Sequence, residues 1–261
     1  RSGLLADQMI TDQTVIFKAD ETLSFQKKKK TFLHPETGIY CGKVHILDIS
    51  LSEEFIQDET TSDYVIDDQL IHRIYKTRSE FSHKGNFGKT TIIAGSFGRV
   101  GAAVLAVKAA LKSGSGLTFV HAPKCGYEIL QTSCPEAIYL YGGENHHDRF
   151  QIDHDTVVGI GPSLGINTDT ESAFMDFLKS CDQPMVLDAD ALNIISRHSQ
   201  FLAKIPENSI ITPHPKEFIS LLKLSKIADI TIEELQTNRF LYVEKFSSKY
   251  PKVVLLLKGA N

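Results

Sequence analysis

Five short segments place glycine, acidic, histidine or lysine residues directly after a predicted strand. The first, Gly95–Ala103 (GSFGRVGAA), also opens a predicted helix. Its glycines let backbone N–H groups approach a ligand, and a helix N-terminus favours an anion. They are spaced three residues apart, which is not the dinucleotide-binding pattern. The segment therefore indicates either an anion-binding loop or a tight turn that binds nothing.

Two further segments add glycine and acidic side chains. Gly159–Gly165 (GIGPSLG) is a second glycine-rich turn before a helix. In Leu187–Asn193 (LDADALN), the side chains of Asp188, Asp190 and Asn193 could hold Mg²⁺ through water or fix a ligand's hydroxyl groups. The alternative is that Asp188 only caps the following helix. Because three polar side chains occur together, we expect a supporting polar site.

The last two segments supply cationic or titratable groups. Ile211–Glu217 (ITPHPKE) holds His214 between two prolines, which fix the backbone on either side of it. Val253–Asn261 (VVLLLKGAN) places Lys258 and Gly259 after a strand, where a cation and bare backbone could meet phosphates. The alternatives are a structural histidine and a solvated lysine.

The elements that must position these segments alternate along the chain from about residue 90. Continuous apolar strands separated by helices predict a parallel sheet covered on both faces, with ligands at the carboxyl ends of its strands. The five segments should then converge in an α/β enzyme that handles a nucleotide or phosphate. Predicted strands cover 90–94, 117–121, 156–160, 185–188, 209–212 and 253–257, and predicted helices cover 101–113, 169–180, 216–222 and 231–249.

Residues before about 80 indicate a different unit. Two strands are predicted at 19–25 and 42–48, with a solvated lysine loop at 27–30 between them. Residues 52–80 are polar and acidic, which suits a linker with one short helix.

The bulk composition narrows the partners. The chain has 261 residues and a formal net charge of −4, which argues against a nucleic-acid partner. Its apolar runs are too short to span a bilayer, so no membrane partner is expected. The four cysteines are scattered without metal-ligand spacing. We expect reduced, mostly buried thiols in a cytoplasmic protein, and polar-loop histidines such as His146 and His147 to be solvated.

Eight motifs in order give the chain a family resemblance. The run from Lys84 resembles the ADP/ATP-dependent NAD(P)H-hydrate dehydratases, a branch of the ribokinase-like fold. The resemblance implies a three-layer α/β domain, a parallel sheet with helices on both faces, over residues 81–261. Ser163 stands where the family usually has glycine. The motifs are HKGNFG (83–88), AGSFGRVGAA (94–103), KSGSGL (112–117), CPEA (134–137), GIGPSLG (159–165), LDADALN (187–193), TPHPKE (212–217) and LKGA (257–260).

The resemblance also implies roles for particular residues. In this family, ADP or ATP with Mg²⁺ phosphorylates the hydroxyl of hydrated NADH or NADPH, and phosphate then leaves to restore the double bond. The implied catalytic aspartate belongs to a Gly-x-Gly-Asp segment expected beyond Asn261, so we expect no catalytic residue in this chain and a C-terminally incomplete domain. The implied substrate residues are Gly101, Ala102, Ala103, Gly165 and His214, and the implied nucleotide residues are Lys258, Gly259, Ala260 and Asn261.

Residues 1–51 resemble the C-terminal part of the Rossmann-like NAD(P)H-hydrate epimerase domain, which is fused upstream in many dehydratases. Ser2 would then lie near that domain's K⁺ site. Residues 52–80 would be the linker. The resemblance implies a bifunctional epimerase and dehydratase, and we expect a homo-oligomer.

Two other classes of function stay open at this point. A ribokinase-like kinase of a vitamin precursor shares the fold, although it would not be expected to combine TPHP at 212–215 with an epimerase tail. A non-catalytic nucleotide-binding or scaffolding protein is the other alternative. A Gly-x-Gly-Asp motif beyond Asn261 would support catalysis over the scaffold alternative, and activity on hydrated NADH rather than on a vitamin precursor distinguishes the dehydratase from the kinase.

Overall fold

The computed structural model describes residues 15–259, apart from the side chain of Ser199. They form two compact units, one made mainly of residues up to Phe81 and the other of Ser82–Leu235 with Arg239–Gly259. None of the helices in residues 15–259 combines the length and the apolar composition that a membrane span requires.

The smaller unit contains the two predicted strands, which pair in parallel with Glu21 opposite Lys43. Residues 52–80 hold two short helices rather than one, because Ser52 and Asp67 each cap a separate helix with a side-chain oxygen. Lys30, predicted to lie in a loop, begins a helix. The elements are β1 Glu21–Phe25, α1 Lys30–Leu33, α2 Pro35–Gly38, β2 Lys43–Leu47, α3 Glu53–Asp58 and α4 Asp68–Ile74.

The larger unit is a seven-stranded sheet in which every neighbouring pair is parallel, in the order β5-β4-β3-β6-β7-β8-β9. The predicted α/β class is therefore confirmed. The strands are β3 Lys89–Ile93, β4 Leu117–Ala122, β5 Ile138–Tyr141, β6 Val157–Ile160, β7 Met185–Leu187, β8 Ile210–Ile211 and β9 Val254–Leu255.

Seven α-helices of this part of the chain connect those strands. Sequence reasoning missed α6 and β5, and the helix predicted at 231–249 is two helices. The helices are α5 Gly101–Lys112, α6 Tyr127–Ser133, α7 Thr168–Ser180, α8 Asp190–Ile195, α9 Pro215–Leu224, α10 Ile232–Thr237 and α11 Arg239–Lys249.

Alternation along the strands directs side chains into two cores, one on each face of the sheet. Ile93 faces the larger core, where the strands pack against α7, α8 and α9 through residues such as Phe174 and Phe218. Its neighbour Ile92 faces the smaller core beneath α5 and α6. Cys134 also lies in the smaller core, and burial raises the pKa of its thiol.

The sheet face that carries the smaller core is only partly covered by helices among residues 15–259. Beyond β3 its side chains are exposed: Val157 by 63%, Val254 by 53% and Leu256 by 55%. Val157 and Leu256, together with Ile92 and Ala106, border an apolar groove, whose volume is about 660 Å³. A strand pattern that is apolar on both sides therefore meets a helical layer on only one side over β6–β9.

Candidate functional site

Backbone hydrogen bonds join the carboxyl ends of the central strands into one edge. The N–H of Gly161 donates to Ile93 O at 3.2 Å, and that of Asp188 donates to Ile160 O at 3.0 Å. Farther along, the N–H of Lys258 donates to Pro213 O at 3.0 Å. The five segments predicted to converge therefore lie along the same edge of the sheet.

A glycine turn and an acidic side chain meet at the centre of this edge. The N–H of Gly165 donates to Asp190 Oδ2 at 2.9 Å, and Asp190 Oδ1 lies 3.4 Å from Asn193 Nδ2. Arg99 Nη1 lies 3.7 Å from the same Asp190 Oδ2. Asp190 thus fixes the Gly165 backbone and faces the Arg99 guanidinium of the first glycine loop, Gly95–Ala103.

A second ion pair lies beside it. Lys258 Nζ donates to Asp188 Oδ1 at 2.5 Å, and the N–H of Ala189 donates to the same oxygen at 2.8 Å. Both side chains are partly exposed and border the 660 Å³ groove together with Thr212. Ala189 has φ +48°, a strained value for a non-glycine residue, and the strain turns the chain sharply from β7 into α8.

The three polar side chains predicted as one supporting site divide between these two contacts. Asp188 pairs with Lys258, whereas Asp190 and Asn193 contact each other. Within residues 15–259, no group of three or more His, Cys, Asp or Glu side chains could hold a metal ion. A Mg²⁺ ion here would take one or two carboxylates, with water and phosphate oxygens as its other ligands, which is its usual arrangement with nucleotides.

His214 has a structural contact besides its predicted role. Its Nδ1 accepts from the N–H groups of Lys216 at 3.1 Å and Glu217 at 3.3 Å, which caps α9. Because Nδ1 accepts, the ring proton lies on Nε2, 3.3 Å from Glu217 Oε1. The side chain is nevertheless 47% exposed, so the Nε2 edge can also meet a ligand.

The first turn of α5 contains the other predicted substrate residues. Gly101 is exposed and Ala102 is partly exposed, whereas Ala103 is fully buried. A Cβ placed on Gly95 would lie 3.3 Å from Ala103 Cβ, so Ala103 packs against the loop that precedes its own helix. Predicted residues Ser2, Ala260 and Asn261 lie outside the described residues, and Gly259 is exposed after β9.

Two buried histidines near this edge were not predicted. His147, expected to be solvated, is fully buried, and the prediction is wrong because its ring stacks on His121 and Phe150 at 5.3 Å from each. Its Nε2 donates to Gly95 O at 3.1 Å. Burial lowers the pKa of His121 to about 4 and that of His147 to about 3. Both rings are therefore neutral at pH 7, and the stacked pair contacts the first glycine loop through the hydrogen bond from His147 to Gly95 O.

A parallel α/β sheet with anion-compatible loops, a cation and fixed carboxylates at its carboxyl edge defines a phosphate-handling enzyme class. A model of the NAD(P)H-hydrate dehydratase family matches residues 90–261. The chain belongs to that family.

Individual relatives agree with this assignment. The chain is 31% identical over 260 residues to the bifunctional NAD(P)H-hydrate repair enzyme of Vibrio cholerae, covering 100% of this chain and 50% of that protein. For the Escherichia coli enzyme the identity is 32%, with 100% and 48% covered. The chain thus spans about half the length of these curated relatives.

Solved structures show the same fold. The Bacillus subtilis ADP/ATP-dependent NAD(P)H-hydrate dehydratase, co-crystallised with ATP/Mg²⁺, matches with a TM-score of 0.60 and 27% identity over 73% of this chain and 65% of that one. A ribokinase-like superfamily protein of Enterococcus faecalis matches with a TM-score of 0.55 and 24% identity over 70% and 61%. The predicted ribokinase-like fold is confirmed.

Proposed function

We propose that the protein containing this chain dehydrates the S-form of hydrated NADH and NADPH in a reaction that consumes ADP or ATP. The convergence of Gly165, Asp188 and Lys258 at one sheet edge, in a chain of the dehydratase family, carries this proposal. Phosphoryl transfer to the hydrate's hydroxyl oxygen makes that group a leaving group. Loss of phosphate and of a ring proton then restores the double bond.

Substrate and nucleotide have separate places in this proposal. The hydrated dinucleotide lies along Gly101–Ala103, Gly165 and His214, where exposed backbone and the His214 Nε2 edge can contact it. The adenine nucleotide lies against Lys258 to Asn261. Lys258 Nζ is paired with Asp188. A phosphate of the nucleotide, bound together with Mg²⁺, would contact the same lysine ammonium.

The base that completes the reaction is proposed to lie outside the printed sequence, in a Gly-x-Gly-Asp segment. Two observations support this. The face of β6–β9 that carries Val157 and Leu256 is exposed in the described residues, as a sheet awaiting a further layer would be. The B. subtilis dehydratase also has residues outside the 65% of its length that matches this chain.

The proposal extends to further properties of the whole protein. We propose a bifunctional protein in which residues 1–51 end a K⁺-dependent epimerase domain with Ser2 near the ion, since the curated relatives are bifunctional and about twice as long. The parallel pairing of β1 with β2 suits a Rossmann-like unit. A cytoplasmic homo-oligomer is part of the same proposal.

The test is recovery of NADH from its hydrate. The full-length protein is expected to restore the near-ultraviolet absorbance of NADH from hydrated NADH only when ADP or ATP is present. No recovery with either nucleotide, together with phosphorylation of a vitamin precursor, would show a ribokinase-like kinase instead. If the protein shows neither hydrate repair nor phosphorylation of a vitamin precursor, the result would favour the scaffold alternative.

A pair of substitutions at His214 separates its two contacts. His214→Asn keeps a capping oxygen for α9, so we expect stability close to wild type, whereas His214→Ala should lose about 1 kcal/mol. Both variants lack the Nε2 donor, so both should lower kcat/KM for the hydrate about tenfold or more. Urea unfolding and steady-state kinetics measure the two effects. Wild-type kinetics in His214→Asn would remove the side chain from the substrate site.

A further inference from the structure

Arg99 is a cation in the first glycine loop to which the proposed function gives no role. Its side chain is 54% exposed, and Nη1 lies 3.7 Å from Asp190 Oδ2, beyond hydrogen-bonding distance. Nη2 lies 3.3 Å from the position that a Cβ on Gly165 would occupy. The guanidinium therefore faces the open side of the Gly165 turn.

A buried hydroxyl faces the same point. Ser96 is only 5% exposed, and its Oγ has no hydrogen-bond partner among the described residues. This oxygen lies 4.0 Å from the same Cβ position on Gly165. A buried hydroxyl without a partner is costly, so its donor capacity at this point indicates that an acceptor binds here.

The N-terminus of α5 adds a third set of donors. The helix has 12 residues, and within this described helix the first turn has neither an acidic residue nor a side-chain cap. Its first N–H groups and the positive end of the helix dipole are therefore available to an anion. The carboxylate that faces Arg99, that of Asp190, is engaged by the Gly165 N–H and Asn193.

We propose that Arg99, Ser96 Oγ and the N-terminus of α5 form a subsite for a phosphate group of the hydrated dinucleotide. This inference rests on the proposed function, because it places the substrate's phosphates beside Gly165. Guanidinium, hydroxyl and backbone donors are the groups that bind phosphate oxygens. The subsite holds the substrate in place but does not act on the reacting hydroxyl.

The test compares Arg99→Gln with Arg197→Gln in the full-length protein. Arg197 is the matched control, since it is 47% exposed and lies 3.6 Å from Glu171. We expect Arg99→Gln to raise KM for hydrated NADH about ten- to a hundredfold, with kcat and KM for ADP near wild type. Arg99→Lys should recover part of the loss, and Arg197→Gln should behave as wild type.

Two further measurements identify the group that is bound. With hydrated reduced nicotinamide riboside, which has no phosphate, Arg99→Gln and wild type should show equal kcat/KM. An unchanged KM for hydrated NADH would overturn the subsite, and a raised KM for ADP alone would assign the phosphate to the co-substrate, which also overturns it.

Binding of inorganic pyrophosphate to the protein without other ligands, followed by calorimetry, gives a readout independent of turnover. We expect Arg99→Gln and Ser96→Ala each to weaken that binding, by about tenfold or more for Arg99→Gln. If wild type fails to turn over the hydrate but binds pyrophosphate through Arg99, the dehydratase proposal fails and the anion subsite stands. If Arg99→Gln binds pyrophosphate as wild type does, the subsite fails whatever the enzyme's activity.

Discussion

Gly161→Ala is expected to destabilise the larger unit by about 4 kcal/mol or more, which is exceptional for a single substitution. Gly161 has φ +135°, and a Cβ there would lie 1.7 Å from Asp188 O and 2.7 Å from Asp188 C. Neither strand end can withdraw easily, because Gly161 N–H donates to Ile93 O and Asp188 N–H donates to Ile160 O. The added methyl group must therefore break the β6–β7 edge that positions Asp188.

Gly98→Ala is the matched control. Gly98 also has a positive φ, +76°, but a Cβ there would meet nothing within 4 Å. Only backbone strain remains, and we expect a loss of about 1 to 2 kcal/mol. Urea unfolding followed by circular dichroism measures both variants. Similar losses in the two variants would show that the close approach to Asp188 does not constrain this edge.

The same turn shows how much of the site could be predicted from the sequence. Glycine at 159–165 and the LDADALN motif each follow an apolar strand, and local patterns of this kind are sufficient to predict parallel strand ends meeting at one edge. The pairing of Asp188 with Lys258 was not predictable, since the two residues are 70 positions apart in the chain. Local pattern predicts the edge, whereas tertiary contacts decide which side chains meet there.

Two misses have the same physical origin. His147 lies in a polar sequence and is buried because it stacks on His121 and Phe150. Arg99 gives no signal in the sequence, since its neighbours Gly165 and Asp190 come from distant segments. Helices pack on both faces of the sheet as predicted, although over β6–β9 the described helices cover one face, because strand composition indicates burial without saying which segment provides it.

The larger unit is expected to lose several kcal/mol of stability between pH 6.5 and pH 4, a window that lies mostly above the ordinary pKa values of Asp and Glu side chains. Burial lowers the pKa of His121 to about 4 and that of His147 to about 3, while both have ordinary values of about 6.5 when unfolded. In that window the unfolded chain binds protons that the folded protein does not. Stability therefore falls as pH falls, by about 1.4 kcal/mol per pH unit for each histidine.

The charges around the pair do not reverse this direction. Arg149 lowers the pKa of His121 and Asp148 raises it, but desolvation is the largest cause for both histidines. The hydrogen bond from His147 Nε2 to Gly95 O raises the pKa of His147, but by less than desolvation lowers it. The loss of stability from the two histidines together is comparable with the roughly 5–15 kcal/mol that stabilises an ordinary domain.

His121→Phe isolates one of the two groups. Neither ring nitrogen of His121 has a hydrogen-bond partner among the described residues, and the ring borders a cavity of about 320 Å³, so phenylalanine can take its place in the stack. We expect urea unfolding at a series of pH values to show about half the wild-type slope between pH 6.5 and pH 4. His154→Gln, at an exposed position, should leave the slope unchanged. If wild type and His121→Phe lose stability equally over this range, the buried histidine pair does not control acid unfolding.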